Sequence, residues 1–266
     1  MLRFIKLYGY YVFLWFSSQK EYKVSFFFGF LANFYCYTIT YALFWVITNR
    51  FQSIGNWVFP EISILYSFNL LIYAITGTLI WGSVYHLERM IIDGSFDRFL
   101  LRPVGLFTQL MCSRFGYTFL GQIVVSLIFL ITNLIQLEIE LTLLKLIFII
   151  LSLAGSIAIH AGAMIFVGSF SFFTLKSQTA GDIFYYDLRD FINYPLSIFP
   201  GFIKVFLTFV LPWAFINYYP VALLLNKSSG TDAILGFISP IVGALFLFLS
   251  VKLFYFGLKR YSSTGS

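Results

Sequence analysis

Charge is what this 266-residue chain has least of. Lys, Arg, Asp and Glu make up 11% of it, against 60% apolar residues. A soluble domain of this length is about a quarter charged, so the chain has too few charges to cover a globule in water. Cysteine and histidine are equally scarce. Cys36 and Cys112 stand far apart and lack metal-ligand spacing, which excludes a disulfide framework and a zinc site. His86 and His160 are too few for a His-rich metal site. A phosphate-binding loop G-x-x-x-x-G-K-[ST], a G-x-S-x-G elbow and an H-E-x-x-H pair are all missing. The chain therefore has no recognised means of hydrolysing ATP or a peptide bond by itself. Internal repeats and low-complexity segments are absent too, apart from the short polar tail 262–266.

What is present is long apolar runs and aromatic side chains, with 35 Phe and 18 Tyr. A transmembrane helix needs about 20 apolar residues with few charges. Runs at 24–49, 62–85, 115–137, 146–175 and 233–258 meet that need. The stretch 180–225 has two readings. In the first, 180–199 is interfacial and 205–225, which is free of charge, is the fifth span. In the second, 180–199 crosses despite Asp187, Arg189 and Asp190, and 202–225 is a pair of short helices dipping in from outside. Pro212 and Pro220 speak against one straight helix there. Irregular backbone at membrane depth is tolerated where protein buries it. Both readings predict an all-α membrane protein of six spans and one domain.

The excess of positive charge, +6, invites a nucleic-acid reading, but topology explains it at less cost. With both termini cytoplasmic, 13 of the 17 basic residues fall on inner segments, as the positive-inside rule requires. Residues 1–23 carry Arg3 and Lys6 and then an aromatic run, which predicts an amphipathic helix on the cytoplasmic face.

Polar residues inside the apolar runs are candidates for a transport path, because ionised groups are costly there. They are His160, in the middle of the fourth span, and Asp187, Arg189 and Asp190. The small residues Ala158, Ala161, Gly162 and Ala163 around His160 predict close helix packing and a neutral, structurally satisfied imidazole. No acidic residue in the first four spans can serve as its proton-relay partner. A stand-alone channel or secondary transporter would have to rest on these four residues. An intramembrane enzyme would need a nucleophile–base or metal constellation, and none is present.

The loop 86–114 is the densest polar segment, and it is long for two spans that need only turn around. Glu88 and Arg89 close the second span. Gly94 is suited to ending a helix in the left-handed region, and Ser95 to capping the next one. Phe96, Phe99 and Leu100 then share one face, with Asp97, Arg98 and Leu101 turned elsewhere. Pro103 stops the helix and biases Arg102 away from it. A short amphipathic helix on the cytoplasmic surface is the expectation.

The pattern E-R-x4-G-x2-D-x2-L-x2-P, here Glu88, Arg89, Gly94, Asp97, Leu100 and Pro103, resembles the first cytoplasmic loop of type-2 ABC transporter permeases. Asp97–Val104 (DRFLLRPV), Tyr194–Gly201 (YPLSIFPG) and Val210–Pro220 (VLPWAFINYYP) are similar to the bacterial subfamily with a DxxLLRPV loop and a later YPLSIYPG…VLPxAFxNYxP segment. The resemblance covers essentially the whole chain, which is richer in Phe and Tyr than that Leu-rich subfamily. It implies a six-span exporter fold with re-entrant helices before the last span, favouring the second reading of 180–225. It further implies a coupling helix that docks on a separate ATPase, carried by Glu88, Arg89, Gly94, Phe96, Asp97, Arg98, Phe99, Leu100, Arg102 and Pro103. ATP and Mg would be bound by that partner and no cofactor by this chain. A second related permease, or a copy of this one, would complete the pore in a bacterial cytoplasmic membrane. Nothing in the residues names the substrate.

Overall fold

Apolar on all sides, α2 (Phe59–Ile92) forms the axis of the structure, a computed structural model that describes residues 9–10, 23–103, 105–112, 115–140, 142–174, 177–183 and 187–262. Of its most apolar window 89% is buried, against 6% for α1 (Lys23–Phe51). A helix apolar all round belongs in the centre of a bundle. Pro60 near its start costs nothing, because the first turn has no amide bonds to lose. Glu61 closes that end by accepting from the Val58 amide at 2.8 Å.

The other long helices are α5 (Tyr117–Gln136), α6 (Leu143–Phe172) and α11 (Thr231–Leu258), after the short α3 (Asp97–Leu100) and α4 (Leu106–Cys112). Five helices are thus long and apolar enough to cross a membrane. They match the five charge-poor runs of the sequence to within a few residues, except that α2 runs on to Ile92. The described residues contain no strand, only a bridge between Ile54 and Trp57 in the turn joining α1 to α2. The expected interfacial helix 1–23 lies almost wholly outside the described residues.

Three contacts fix the bundle. α5 lies along α1, where Gln122 donates to Asn33 at 2.9 Å and Tyr41 stacks on Phe129. α6 and α11 run parallel with backbones almost touching, Gly155 beside Pro240 at one end and Phe172 beside Gly257 at the other. A Cβ on Gly243 would strike the Gly155 carbonyl, and one on Gly155 would meet Pro240. Small residues permit this approach, as the composition around His160 suggested. α2 joins α5 through a π-helical turn at Gly77–Trp81, where the Thr78 carbonyl accepts from the Gly116 amide at 3.0 Å.

The stretch after α6 is broken into short pieces, including the pair of short helices that the second reading expects at 202–225. Neither 180–199 nor 205–225 is one straight helix. α7 (Ser177–Asp182), α8 (Leu188–Phe191) and a 3-10 turn (Leu196–Ile198) carry the chain from one end of the bundle to the other. Gly181 lies beside Val167, near the end of α6. Asn193 accepts from Asn69, about a third of the way along α2, at 2.7 Å, and the Ser197 hydroxyl donates to the Gly55 carbonyl at the far end at 3.0 Å.

From there α9 (Gly201–Val210) and α10 (Pro212–Leu224) go in and come back, meeting at 75°. Pro212 causes the bend: the residue before a proline is driven out of the helical region, and Leu211 is extended at φ −116°. The bend reaches α6, where Ser156 donates to the Ile216 carbonyl at 2.6 Å. The pair starts beside Gly55 and finishes at Lys227, which donates to the Asn56 carbonyl at 2.7 Å and pairs with Glu61 at 2.6 Å.

Candidate functional site

Two groups of residues stand out, one beneath the bundle and one at its centre. The first is the corner after α2. Gly94 has φ +70°, as expected of a left-handed helix stop. Its amide donates to the Ile91 carbonyl and that of Phe96 to the Met90 carbonyl. Ser95 does not cap α3. Asp93 makes the turn instead, accepting from the Ser95 amide at 2.9 Å, an arrangement that competes well with helix in short loops. The Ser95 hydroxyl and amide, then the Arg89 and Arg98 guanidiniums, hold the Asp93 carboxyl below the usual carboxylate range.

α3 is a single turn, and the expected face Phe96–Phe99–Leu100 is split. Phe96 is fully buried, its ring 5.0 Å from Tyr261, 5.7 Å from Phe172 and in one cluster with Phe254. Asp97, expected to face elsewhere, is half-buried and accepts from the Tyr261 hydroxyl at 2.8 Å. Phe99 is half-buried and its carbonyl accepts from Gln109. Leu100 is exposed, and Leu101 stands out with 84% of its surface free. The rotation of so short a helix is set by the ring it anchors, not by its own periodicity. Exposed Arg89, Arg98 and Arg102 line a pocket of about 600 Å3 together with His86, Asp93 and Phe99. Glu88 is half-buried, and Pro103 follows at the exposed end of the turn.

At the centre, His160 is buried against the rings of Tyr73 and Trp213, 5.6 and 6.1 Å between centroids. The Arg189 guanidinium lies 3.8 Å over the Tyr73 ring, with its side chain only 12% exposed. Cation–π contact and the Asp190 carboxylate 3.7 Å away compensate its burial there. Asp190 itself is 68% exposed and accepts from Asn193 at 3.1 Å. Asp187 is exposed one turn away. Of the four intramembrane candidates, His160 and Arg189 come together around Tyr73, while Asp187 and Asp190 face outward.

Sequence reasoning passed over Asn69, Asn193 and Asn217. Asn217 donates to the Leu65 and Ile192 carbonyls, tying α10 to α2 and to the stretch 177–198. An amide in a charge-free run was the available signal. Among the described residues, no three of His, Cys, Asp and Glu stand close enough to hold a metal ion.

The family model described as ABC-2 family transporter protein matches residues 34–265, from α1 to just past α11. The chain belongs to the ABC-2 transporter family. No curated protein and no solved structure matches it. As an ABC-2 permease the chain is a multi-pass membrane component of a transporter, and not itself the catalyst. Its match includes both groups of residues, the loop beneath the bundle and the polar centre.

Proposed function

We propose that the chain is the permease half of an ATP-driven exporter in a bacterial cytoplasmic membrane. Both termini are cytoplasmic, and the chain works beside a separate ATPase subunit and a second permease, related or identical. ATP and Mg belong to the ATPase. In this reading α1, α2, α5, α6 and α11 cross the membrane, the stretch 177–198 is the sixth crossing, and α9 and α10 form a re-entrant pair on the outer side. The charged groups support that orientation. Arg89, Arg98, Arg102, Lys259 and Arg260 gather at the end where α2 and α11 finish.

The anchoring of Phe96 carries the reading. Its ring is wedged among Phe172 at the end of α6, Phe254 in α11 and Tyr261 beyond it, while α3 follows directly on α2. A push on α3 is thus delivered to three spans at once. ATP closes the two ATPase subunits, these displace α3, and the permeases rock outward. ATP can bias the permease only through such state-dependent contacts. Leu100 and Leu101 point away from the bundle, and α3 underlies it, so this face is offered to a cytoplasmic protein.

The test is Leu101→Asp. Leu101 is too exposed to matter for folding, so the variant is expected to accumulate normally and to lose its ATPase on purification. Retained ATPase and normal transport would sink the assignment. For topology, Lys227→Cys in a chain lacking Cys36 and Cys112 is expected to react with an impermeant thiol reagent on intact cells, and Lys259→Cys to be protected. Labelling at Lys259→Cys from outside would invert the model.

A further inference from the structure

Resting on the reading of α3 as the ATPase contact, the pocket beside it has a chemistry of its own. Arg89 comes from the last turn of α2, while Arg98 and Arg102 are four residues apart on and just after α3. All three side chains line one pocket of about 600 Å3, with Asp93 as the only carboxylate among its described lining residues. None of the three makes an ion pair within 4.0 Å among the described residues. Asp93 cannot neutralise three guanidiniums, and it is already engaged by Ser95. Asp97 is turned away to Tyr261. The pocket is therefore positively charged and open.

We infer that this pocket is a socket for one or more carboxylates projecting from the ATPase subunit, beside the apolar contact made by Leu101. Guanidinium forks suit carboxylates in two-point contacts. Three in one recess give a geometry that a single surface pair lacks. Lipid phosphate is the competing anion, but the position of α3 argues against it. α3 lies under the ends of α2, α6 and α11, held by Phe172, Phe254 and Tyr261. Bilayer surface would instead flank the bundle. The complementary ATPase face is an apolar recess for Leu101 bordered by Asp or Glu. Leu101 supplies contact area, and the arginines supply register and rate of encounter.

The test uses the full permease with the ATPase that co-purifies with it. Arg98→Glu/Arg102→Glu changes two exposed side chains and is expected to weaken ATPase retention at least roughly tenfold at low salt. The loss should shrink as salt rises, because screening affects the repulsion. In a second arm, Arg98→Lys and Arg102→Lys keep the charge and supply amines. A carbodiimide is expected to join either lysine to an Asp or Glu of the ATPase, mapped by mass spectrometry. The inference is overturned if the double reversal leaves retention unchanged while Leu101→Asp abolishes it, since docking is then purely apolar. It is equally overturned if reversal spares the ATPase but strips bound anionic lipid, or vesicles containing it, from the permease. If Leu101→Asp and the reversal both leave ATPase and transport intact, the coupling role of α3 fails as well.

Discussion

At the scale of single residues, Phe96 is where docking and transmission separate. Its ring is fully buried, and a Phe→Ala change at such a site costs about 3–5 kcal/mol through lost transfer and a residual cavity. Phe96→Ala is expected to lower the melting temperature of the purified permease and to abolish ATP-driven transport. ATPase should still be bound, because Leu101 and the arginines remain on the surface. Loss of binding together with transport would mean that the ring only holds α3 in shape. Tyr261→Phe tests the same joint more gently. It removes the 2.8 Å bond to Asp97, at a cost of roughly 1–3 kcal/mol for a charge-assisted bond, read as a smaller fall in melting temperature. The boundaries of this loop were legible in the residues: Gly94 needs the left-handed region, and Pro103 ends the turn. The side of α3 that faces inward was not. One turn of helix has too little periodicity to declare a face, and the decision falls to distant rings, Phe172 and Tyr261.

At the scale of elements, the pairing of α6 with α11 depends on the absence of side chains. A methyl at Gly243 would strike the Gly155 carbonyl, and neither backbone can retreat without parting the helices. Gly243→Ala is expected to cost more than about 2 kcal/mol, within the range for overpacking, and to show as poor yield and a lowered melting temperature in detergent. Gly201→Ala is the control. Nothing lies within 4 Å of its added methyl, and alanine in helix is favoured over glycine by roughly 0.5–1 kcal/mol, so it should be neutral or slightly stabilising. The small residues around His160 announced close packing in the sequence. Their partner, Pro240 to Leu247 of α11, could not be read there, because apolar composition is the same on every lipid-facing or helix-facing surface of a membrane bundle. The course of the stretch 177–198 was harder still to read. Hydropathy favours the charge-free 205–225 and penalises Asp187, Arg189 and Asp190. Contacts absent from any hydropathy reading decide the paths: Tyr73, Asn69 and Asn217 provide polar contacts for the charged stretch, and Pro212 bends the apolar one back on itself.

At the scale of the whole molecule, the surface divides by what it can face. Ile234, Phe237, Ile241, Leu245 and Phe248 form an exposed stripe down α11, spaced three and four residues apart, and such a stripe suits hydrocarbon. Asp187 and Asp190 suit it badly. They lie on the stretch 177–198, and Asp190 is tied through Asn193 to Asn69, about a third of the way along α2 and within its apolar length. An ionised carboxylate at that depth costs several kcal/mol against lipid, yet Asp190 has 68% of its side chain free. Water or a protein partner must cover it, and the proposed second permease with a shared aqueous path supplies both. Asp190→Cys, in a chain lacking Cys36 and Cys112, is therefore expected to react with a small hydrophilic thiol reagent, whereas Ile241→Cys, on the lipid stripe, should react slowly. In the assembled transporter the rate at Asp190→Cys should change when ATP is bound without hydrolysis, because rocking of two permeases opens or closes the space between them. Equal and slow reaction at both positions would show that the carboxylate is covered by dry protein, and would remove this face from the transport path. Fast reaction that ignores nucleotide would keep the path wet but break its link to α3.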